Sequence, residues 1–253
     1  MKNTLSLVID VGNTSTSYGF YKQNRLFQSS RCLTDEFPIK LETLIEKQGN
    51  NPSFNVAISS VVPKLTQKIR KITKRHKVSR VWVVGQNLKI KIKHKYISIN
   101  KLGADRLVNL YGGMRFYGKP ILIFDFGTAV TCDYISAEGV FEGGLIIPGP
   151  GISFEALGQK TALLPRLKFP QDFKFFLGRD TVSGMKAGIL QSYAAMTDGL
   201  IERFKKQYGR RLRVIATGGF ANTIACHTHF IDVADPSLTL RGLGLALGDQ
   251  KIS

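Results

Sequence analysis

The sequence lacks the features of a membrane-spanning or secreted protein. No apolar run approaches the ~20 residues that a transmembrane helix needs. The first apolar run follows a single lysine and is broken by Asp10, so we expect no secretory signal. The three cysteines, Cys32, Cys132 and Cys226, are odd in number, scattered and without metal-ligand spacing. These absences predict buried thiols in a protein of the reducing cytoplasm.

Acidic residues are scarce: 18 Asp and Glu against 36 Lys and Arg give a net charge of +18. The segment from Lys64 to Lys95 carries twelve of the basic residues and no acid. Such a segment could bind nucleic acid or an anionic membrane surface. It is not interleaved with aromatic residues, however. Lysines alternate with isoleucines between Lys89 and Lys93, which is typical of the solvent face of a strand, and residues 64–80 fit an amphipathic helix. We favour a solvated basic face over a nucleic-acid site.

What the chain does contain is typical of a globular protein. Its 253 residues, 43% hydrophobic and 21% charged, suffice for one large domain or two ordinary ones with complete cores. The clearest element is a hairpin over residues 5–21, where an apolar run ends on Asp10 and turns through Gly12-Asn13-Thr14. This turn can offer N–H groups and small polar side chains to a phosphate, with Asp10 placed to hold hydrated Mg²⁺. Asp-x-Gly-Asn is also ordinary turn chemistry, so a plain turn remains the alternative.

The hairpin pattern recurs once, 115 residues later. Residues 122–128 repeat residues 7–13, and Thr131 aligns with Thr16 without a gap. A single duplicated element, separated by nearly half the chain, is not a solenoid repeat. It predicts two similar domains that face each other, each with one phosphate-binding hairpin.

Each half of the sequence predicts three consecutive strands followed by alternating helices and strands, an α/β pattern with mixed sheets. Turn residues at Gly118-Lys119-Pro120 predict the boundary between domains 1–117 and 118–253. In the first half we predict a third strand over 25–31, helices over 38–48, 64–76 and 102–117, and strands over 54–60 and 80–84. In the second half we predict strands over 121–126, 129–135, 140–147 and 211–216, and helices over 149–157, 181–208 and 238–247.

These motifs resemble those of the acetate and sugar kinase, Hsp70 and actin superfamily. The two hairpins match its two phosphate motifs, and Thr217-Gly218-Gly219 matches its adenosine motif. Within that superfamily the chain is similar to type III pantothenate kinase along almost its whole length. The matching segments are Asp10 to Thr14, Gly103 to Arg106, Asp125 to Thr128, Gly144 to Gly149, Leu164-Pro165 and Gly178 to Thr181.

This resemblance implies two ribonuclease-H-like (actin-like ATPase) domains with mixed sheets and a nucleotide cleft between them. It implies a cytoplasmic homodimer that transfers the γ-phosphoryl group of ATP to pantothenate, giving 4′-phosphopantothenate in the first step of coenzyme A biosynthesis. Asp125 would bind a monovalent cation, K⁺ or NH₄⁺, while Asp10 would hold Mg²⁺, through water. A turn hydroxyl that satisfies its own backbone is the alternative for Thr128. The implied ATP-binding residues are Asp10, Val11, Gly12, Asn13, Thr14, Ser15, Thr16, Ser17 and Thr128.

The catalytic residue implied by the resemblance is Asp105, which could orient the substrate hydroxyl and take its proton late in the transition state. On the sequence alone, stabilisation of a helix N-terminus by its charge is an equal alternative. The guanidinium of Arg106 suits an anionic carboxylate or phosphate. The implied pantothenate-binding residues are Tyr96, Gly103, Ala104, Asp105, Arg106 and Thr181.

Two of these residues have further interpretations. Relatives often show Asn-Pro shortly after the tyrosine, whereas this chain continues Ile97-Ser98-Ile99, and a surface or core tyrosine is the alternative for Tyr96. Thr181 is also suited to be the N-cap of the following helix, and it could serve the partner chain's pocket.

Two rival functions remain for the whole chain, a non-catalytic nucleotide-binding regulator and a phosphatase on the same fold. Neither needs an alcohol-binding turn at Gly103 to Arg106.

Overall fold

The computed structural model describes residues 4–48, 54–166 and 177–250. They form two compact units. The first unit comprises Met1–Ile92, Ile97–Arg115 and Leu238–Ser253, and the second comprises Lys93–Tyr96 and Phe116–Ser237. Each unit has its own sheet.

The first unit is built on a five-stranded mixed sheet. Its strands are β1 (Ser6–Val11), β2 (Ser15–Lys22), β3 (Arg25–Leu33), β4 (Asn55–Ser60) and β5 (Arg80–Val83). They lie in the order β3-β2-β1-β4-β5, antiparallel from β3 to β1 and parallel from β1 to β5. Its helices are α1 (Phe37–Glu46), α2 (Pro63–Arg75), α3 (Ala104–Tyr117, whose last two residues group with the second unit) and α7 (Leu238–Gly248).

The strand alternation of the first unit gives its sheet two apolar faces. Leu7, Ile9 and Ile58 on one face pack with the inward stripes of α1 and α2, which include Leu41 and Ile69. The opposite face, carrying Val8 and Ala57, is covered by leucines of α7: Leu240, Leu243 and Leu247. This burial groups the last helix with the first unit, whereas the predicted boundary at 117/118 placed it with the second half.

The second unit repeats the strand order of the first and adds one strand. It contains β6 (Lys93–His94), β7 (Ile121–Phe126), β8 (Ala129–Ile135), β9 (Val140–Pro148), β10 (Arg213–Thr217) and β11 (Val233–Ala234). Their order is β11-β10-β7-β8-β9-β6, with β7, β8 and β9 antiparallel and β7, β10 and β11 parallel. The helices are α4 (Pro150–Lys160), α5 (Thr181–Tyr208) and α6 (Ala221–Ala225). The core of the unit includes Leu122, Phe124, Phe126, Leu190, Ile201, Val214 and Ile224.

The structure confirms the mixed α/β fold class and corrects three local predictions. The N-cap of α5 is Asp180, not Thr181, because its carboxylate accepts the N–H of Ser183 in a capping box. Residues 89–92 form no strand, and the Lys89 carbonyl accepts a hydrogen bond from Gln250 instead. The lysines there are nevertheless exposed, as predicted.

The cysteines are less buried than predicted, which is the third difference. Cys132 is buried, but Cys32 on the edge strand β3 is only half-buried and Cys226, which follows α6, is exposed. Among the described residues, no helix is both long and apolar enough to span a membrane.

Candidate active site

The first hairpin has an exposed tip, and its base is held by strand pairing. Asp10 pairs with Ser17 and Val11 with Thr16, and the Gly12 N–H donates to the Ser15 carbonyl at 3.1 Å. Asn13 and Thr14 at the tip are exposed. Val11 and Thr16 are buried, so these two can offer a ligand little beyond their backbone groups.

Thr34, the residue after β3, holds this tip in place. Its N–H donates to the Thr14 carbonyl (3.1 Å) and its hydroxyl donates to the Gly12 carbonyl (2.7 Å). The Thr34 hydroxyl also lies 3.2 Å from that of Thr16. Thr16, a predicted phosphate contact, therefore supports the turn from inside. No local sequence pattern predicts this role, because nothing local distinguishes Thr34 from any other turn threonine.

Asp10 is held by Ser59, a second residue whose role no sequence pattern predicts. The hydroxyl of Ser59, fully buried at the end of β4, donates to Asp10 Oδ1 at 2.9 Å. The two residues are register partners in the parallel pair β1–β4. Mg²⁺ is usually held by one or two carboxylates together with substrate phosphates and water. A half-buried carboxylate beside a phosphate-type turn fits that requirement, and the described residues contain no cluster of three metal-ligating side chains that would indicate an all-protein cage.

The second hairpin has a shorter turn than the first. Between paired Val11 and Thr16 lie residues 12–15, whereas between paired Phe126 and Val130 lie only residues 127–129. Thr131 consequently pairs with Asp125 as Ser17 pairs with Asp10. The ungapped alignment of Thr131 with Thr16 is therefore wrong in three dimensions, although the carboxylate–hydroxyl pairing is common to both hairpins.

The tip of the second hairpin packs directly on the residue after β9. The Gly149 N–H donates to the Thr128 carbonyl at 3.0 Å. A Cβ at Gly149 would collide with the carbonyl oxygens of Gly127 and Thr128, so only glycine fits. The Tyr193 hydroxyl of α5 donates to the neighbouring Pro148 carbonyl at 2.5 Å. These contacts leave the Thr128 side chain exposed at a firmly held turn.

The carboxylate of Asp125 lies against the end of β10. Gly218 has a φ of +90°, and a Cβ there would collide with Asp125 Oδ1. Thr217 is the register partner of Asp125, and its hydroxyl is buried with no hydrogen-bond partner among the described residues. A carboxylate with a neighbouring buried hydroxyl is a donor set that suits a hard cation such as K⁺ or Mg²⁺.

Asp105 lies in the first turn of α3 with its carboxylate folded back over the helix start. Oδ1 accepts the N–H of Arg106 at 2.7 Å, and a Cβ at Gly103 would come within 2.5 Å of the same oxygen. The glycine two residues earlier is thus what makes room for the carboxylate. Burial raises the pKa of Asp105, although the N–H and the charge of Arg106 act to lower it. The helix-capping alternative and the base role are compatible in this geometry.

The remaining predicted residues fall in both units. Arg106 is buried, with 6% of its surface exposed, and Ala104 is half-buried at the start of α3. Tyr96 belongs to the second unit, where its ring stacks on Phe141 with centroids 5.4 Å apart. Thr181 is exposed at the first position of α5, also in the second unit. The structure therefore brings together Gly103, Ala104, Asp105 and Arg106 in one unit, with Tyr96 and Thr181 in the other.

Solved structures of low sequence identity share this fold. A conserved Baf family protein from Campylobacter jejuni matches with a TM-score of 0.58 and 17% identity, covering 96% of this chain and 98% of that one. The inorganic polyphosphate/ATP-glucomannokinase from Arthrobacter matches with a TM-score of 0.51 and 12% identity, covering 98% and 100% of the two chains. Together with the repeated strand order, these similarities confirm the predicted actin-like ATPase fold.

Sequence comparison gives a more specific result. Residues 6–203 match the family model described as type III pantothenate kinase. A protein from Bacillus cytotoxicus named type III pantothenate kinase is 38% identical over 246 residues, covering 93% of each chain. The chain therefore belongs to the type III pantothenate kinase family.

Proposed function

We propose that this protein transfers the γ-phosphoryl group of ATP to the primary hydroxyl of pantothenate, giving ADP and 4′-phosphopantothenate for coenzyme A biosynthesis. The observation that carries the proposal is the Gly103 to Arg106 turn, in a chain that belongs to a pantothenate kinase family. There a half-buried carboxylate of raised pKa stands at the start of a helix. Phosphoryl transfer depends mainly on positioning and charge neutralisation, for which such a preorganised turn is suited.

In this proposal Asp105 is the catalytic base. Its carboxylate orients the substrate hydroxyl and takes the proton as the new oxygen–phosphorus bond forms and the bond to ADP breaks. The raised pKa of Asp105 makes it a stronger proton acceptor than an exposed aspartate. Arg106 would pair with an anionic group of a substrate, and the neighbouring N–H groups at the helix start favour negative charge.

The two hairpins would bind the ATP phosphates. In the first hairpin, the exposed tip residues Asn13 and Thr14 and the half-buried Ser15 and Ser17 support this role. In the second, the exposed Thr128 supports it. Asp10, with Ser59 behind it, would hold Mg²⁺, which neutralises phosphate charge when bound. Asp125 would bind K⁺ or NH₄⁺.

The pantothenate contacts are proposed from the family motif. Tyr96, Gly103, Ala104 and Thr181 are proposed as contacts in addition to Asp105 and Arg106. The stacking of Tyr96 on Phe141 supports a fixed ring orientation, with the phenol as the polar handle. The exposed position of Thr181 at the start of α5 supports a contact with a ligand or with a second copy of the chain.

We also propose a cytoplasmic homodimer. Apolar side chains on β9, α4 and the segment before α5 are exposed, which supports a self-association surface on the second unit: Leu145, Ile146, Ile152 and Leu177. Light scattering coupled to size-exclusion chromatography would give twice the mass of one chain. A monomer at micromolar concentration would remove the homodimer from the proposal.

The decisive experiment is an ATP-dependent assay with pantothenate as acceptor, which follows ADP and 4′-phosphopantothenate together. We expect equal amounts of the two products and no ADP without pantothenate. ADP release that is independent of pantothenate would indicate an ATP-hydrolysing enzyme instead. ATP binding without either product would favour the non-catalytic regulator.

A further inference from the structure

A buried hydroxyl without a hydrogen-bond partner marks the end of β10. Thr217 has no exposed surface, and its Oγ1 has no partner among the residues that the structure describes. A buried polar group left without a partner costs about 1–3 kcal/mol, so such groups are rare and usually have a ligand or a catalytic reason. The catalytic scheme above gives Thr217 no role.

The first unit shows what a hydroxyl at this position can do. Ser59 on β4 is the register partner of Asp10, as Thr217 on β10 is the register partner of Asp125. Both hydroxyl residues are fully buried at the last or second-last position of their strands. Ser59 donates to the Asp10 carboxylate at 2.9 Å, whereas Thr217 makes no such bond. Both sheets therefore place a hydroxyl residue opposite an aspartate, but only the hydroxyl of the first sheet donates to the carboxylate.

Thr217 and the Asp125 carboxylate share one small region of the second unit. Adjacent strands lie about 4.8 Å apart, and alternation along β7 and β10 places Asp125 and Thr217 on the face opposite to core residues Phe124 and Ala216. The Asp125 carboxylate also packs on Gly218, the residue after Thr217. A hydroxyl oxygen and a carboxylate oxygen thus belong to neighbouring residues on one face of the sheet at the end of β10.

We propose that Thr217 is a second protein ligand, beside Asp125, of the monovalent cation in the proposed function. The hydroxyl oxygen coordinates the ion through a lone pair and keeps its proton, so that binding supplies the partner that this buried group otherwise lacks. Oxygen ligands of this kind suit hard cations. The inference rests on the cation part of the proposed function and adds a residue to it.

The test is a K⁺ titration of thermal unfolding for the native protein and for Thr217→Val, in ADP and Mg²⁺, with choline chloride holding ionic strength constant. Valine keeps the β-branched shape and removes only the hydroxyl. We expect the K⁺ concentration for half of the Tm increase to rise about tenfold, the lower end of the effect of losing a supporting residue in a metal site. Without K⁺, the variant should melt at or above the native Tm, since no hydrogen bond is lost. Thr217→Ser should restore the native K⁺ midpoint.

The matched control is Thr197→Val, which removes an equally buried hydroxyl of the second unit that does have a partner, the Tyr193 carbonyl at 2.7 Å. This control should lower the Tm without K⁺ and leave the K⁺ midpoint unchanged. If the native protein responds to K⁺ but Thr217→Val has the native midpoint, Thr217 is not a ligand and the cation proposal stands. If the native Tm does not respond to K⁺, both are overturned, while the phosphorylation assay still decides the kinase activity.

Discussion

In both units, the residue that follows the strand after the hairpin (β3 or β9) hydrogen-bonds the hairpin tip. This residue is a threonine in the first unit and a glycine in the second. Thr34 donates its N–H to the Thr14 carbonyl at 3.1 Å, and Gly149 donates its N–H to the Thr128 carbonyl at 3.0 Å. The first turn is one residue longer, so the threonine side chain fits beneath it and bonds Gly12. The shorter second turn lies directly on Gly149, where no Cβ fits.

The carboxylates at the base of the two hairpins also differ in their surroundings. Asp10 already accepts a hydrogen bond from the buried hydroxyl of Ser59, whereas the equivalent hydroxyl beside Asp125 has no partner among the described residues. The carboxylate of the first hairpin is thus fixed by a hydroxyl of the neighbouring strand, whereas Thr217 gives the carboxylate of the second hairpin no such bond. The duplicated fold teaches that a repeated backbone can carry two different sites.

The largest expected difference between the units is catalytic, because only the first carries Asp105. Asp105→Asn should lower kcat by about 10²–10⁴-fold, the usual contribution of a general base. Steady-state kinetics with pantothenate checks this, with Glu46→Gln on the exposed face of α1 as a control that should keep native activity. Near-native kcat in the variant would remove Asp105 from the base role.

The Tm of the same variant has an expected direction of change, which follows from the pKa of Asp105. Burial raises the pKa of Asp105 in the folded protein, so the folded state disfavours the ionised carboxyl. The free energy of unfolding therefore falls as Asp105 ionises. The fall begins near the ordinary pKa of aspartate and is complete above the raised pKa. Asparagine is neutral and can still accept the Arg106 N–H. The Tm of Asp105→Asn at neutral pH should therefore equal or exceed that of the native protein, which separates lost chemistry from lost folding.

The second prediction concerns the close approach at Gly149. Gly149→Ala should destabilise the fold by about 3 kcal/mol, the upper range for overpacking against backbone, and should raise the KM for ATP. Gly151→Ala, whose added Cβ would meet nothing within 4 Å beyond its chain neighbours and the backbone of its own helix, should be neutral or stabilising. Thermal unfolding of the two variants gives the comparison. Equal Tm values for them would show that the hairpin is not held through Gly149.

The third prediction concerns the equivalent residue of the first unit. Thr34→Ala removes the side-chain bond to the Gly12 carbonyl and the contact with Thr16 but keeps the backbone N–H. We expect a loss of about 1–2 kcal/mol, or roughly 2–8 °C in Tm. Thr34→Ser, which retains the hydroxyl, should recover most of it. If serine is as unstable as alanine, packing and not hydrogen bonding secures the first tip.

The smallest expected effect compares the two turn glycines. A Cβ at Gly12 would lie 2.9 Å from the Ser15 carbonyl oxygen, whereas one at Gly127 would lie 3.4 Å from that of Ala129. Gly12→Ala should therefore cost about 1 kcal/mol more stability than Gly127→Ala. Chemical denaturation resolves a difference of this size. The reverse order would mean that the longer turn relaxes more easily than the shorter one.

Local patterns predicted the regular elements well. The predicted bounds of α5, residues 181–208, match the observed helix to the residue, and alternation predicted the strands of both hairpins. The prediction that failed over residues 89–92 had the same alternation, but that segment is not part of a strand, and the Lys89 carbonyl accepts a hydrogen bond from the Gln250 side chain. Periodicity states which residues are exposed; it does not state which backbone partner is present.

In the candidate site, too, some residues could be predicted from local patterns and others could not. The duplicated Asp-x-Gly pattern and the Gly103 to Arg106 motif identified the turns from the sequence. Residues that support those turns, such as Ser59, Thr34 and Gly149, lie on other strands or loops, and no local pattern singles them out. Their roles depend on the register of parallel and antiparallel strands, which is set by long-range packing.

The sequence by itself determined the types of most elements, the duplication and the family, because these depend on local periodicity and on short motifs. Only the tertiary structure decided that the second turn is one residue shorter and that α7 packs on the first sheet. It alone decided that Ser59 bonds its carboxylate while Thr217 does not. The physical reason is that turn length, register and burial are settled by contacts between residues far apart in the chain.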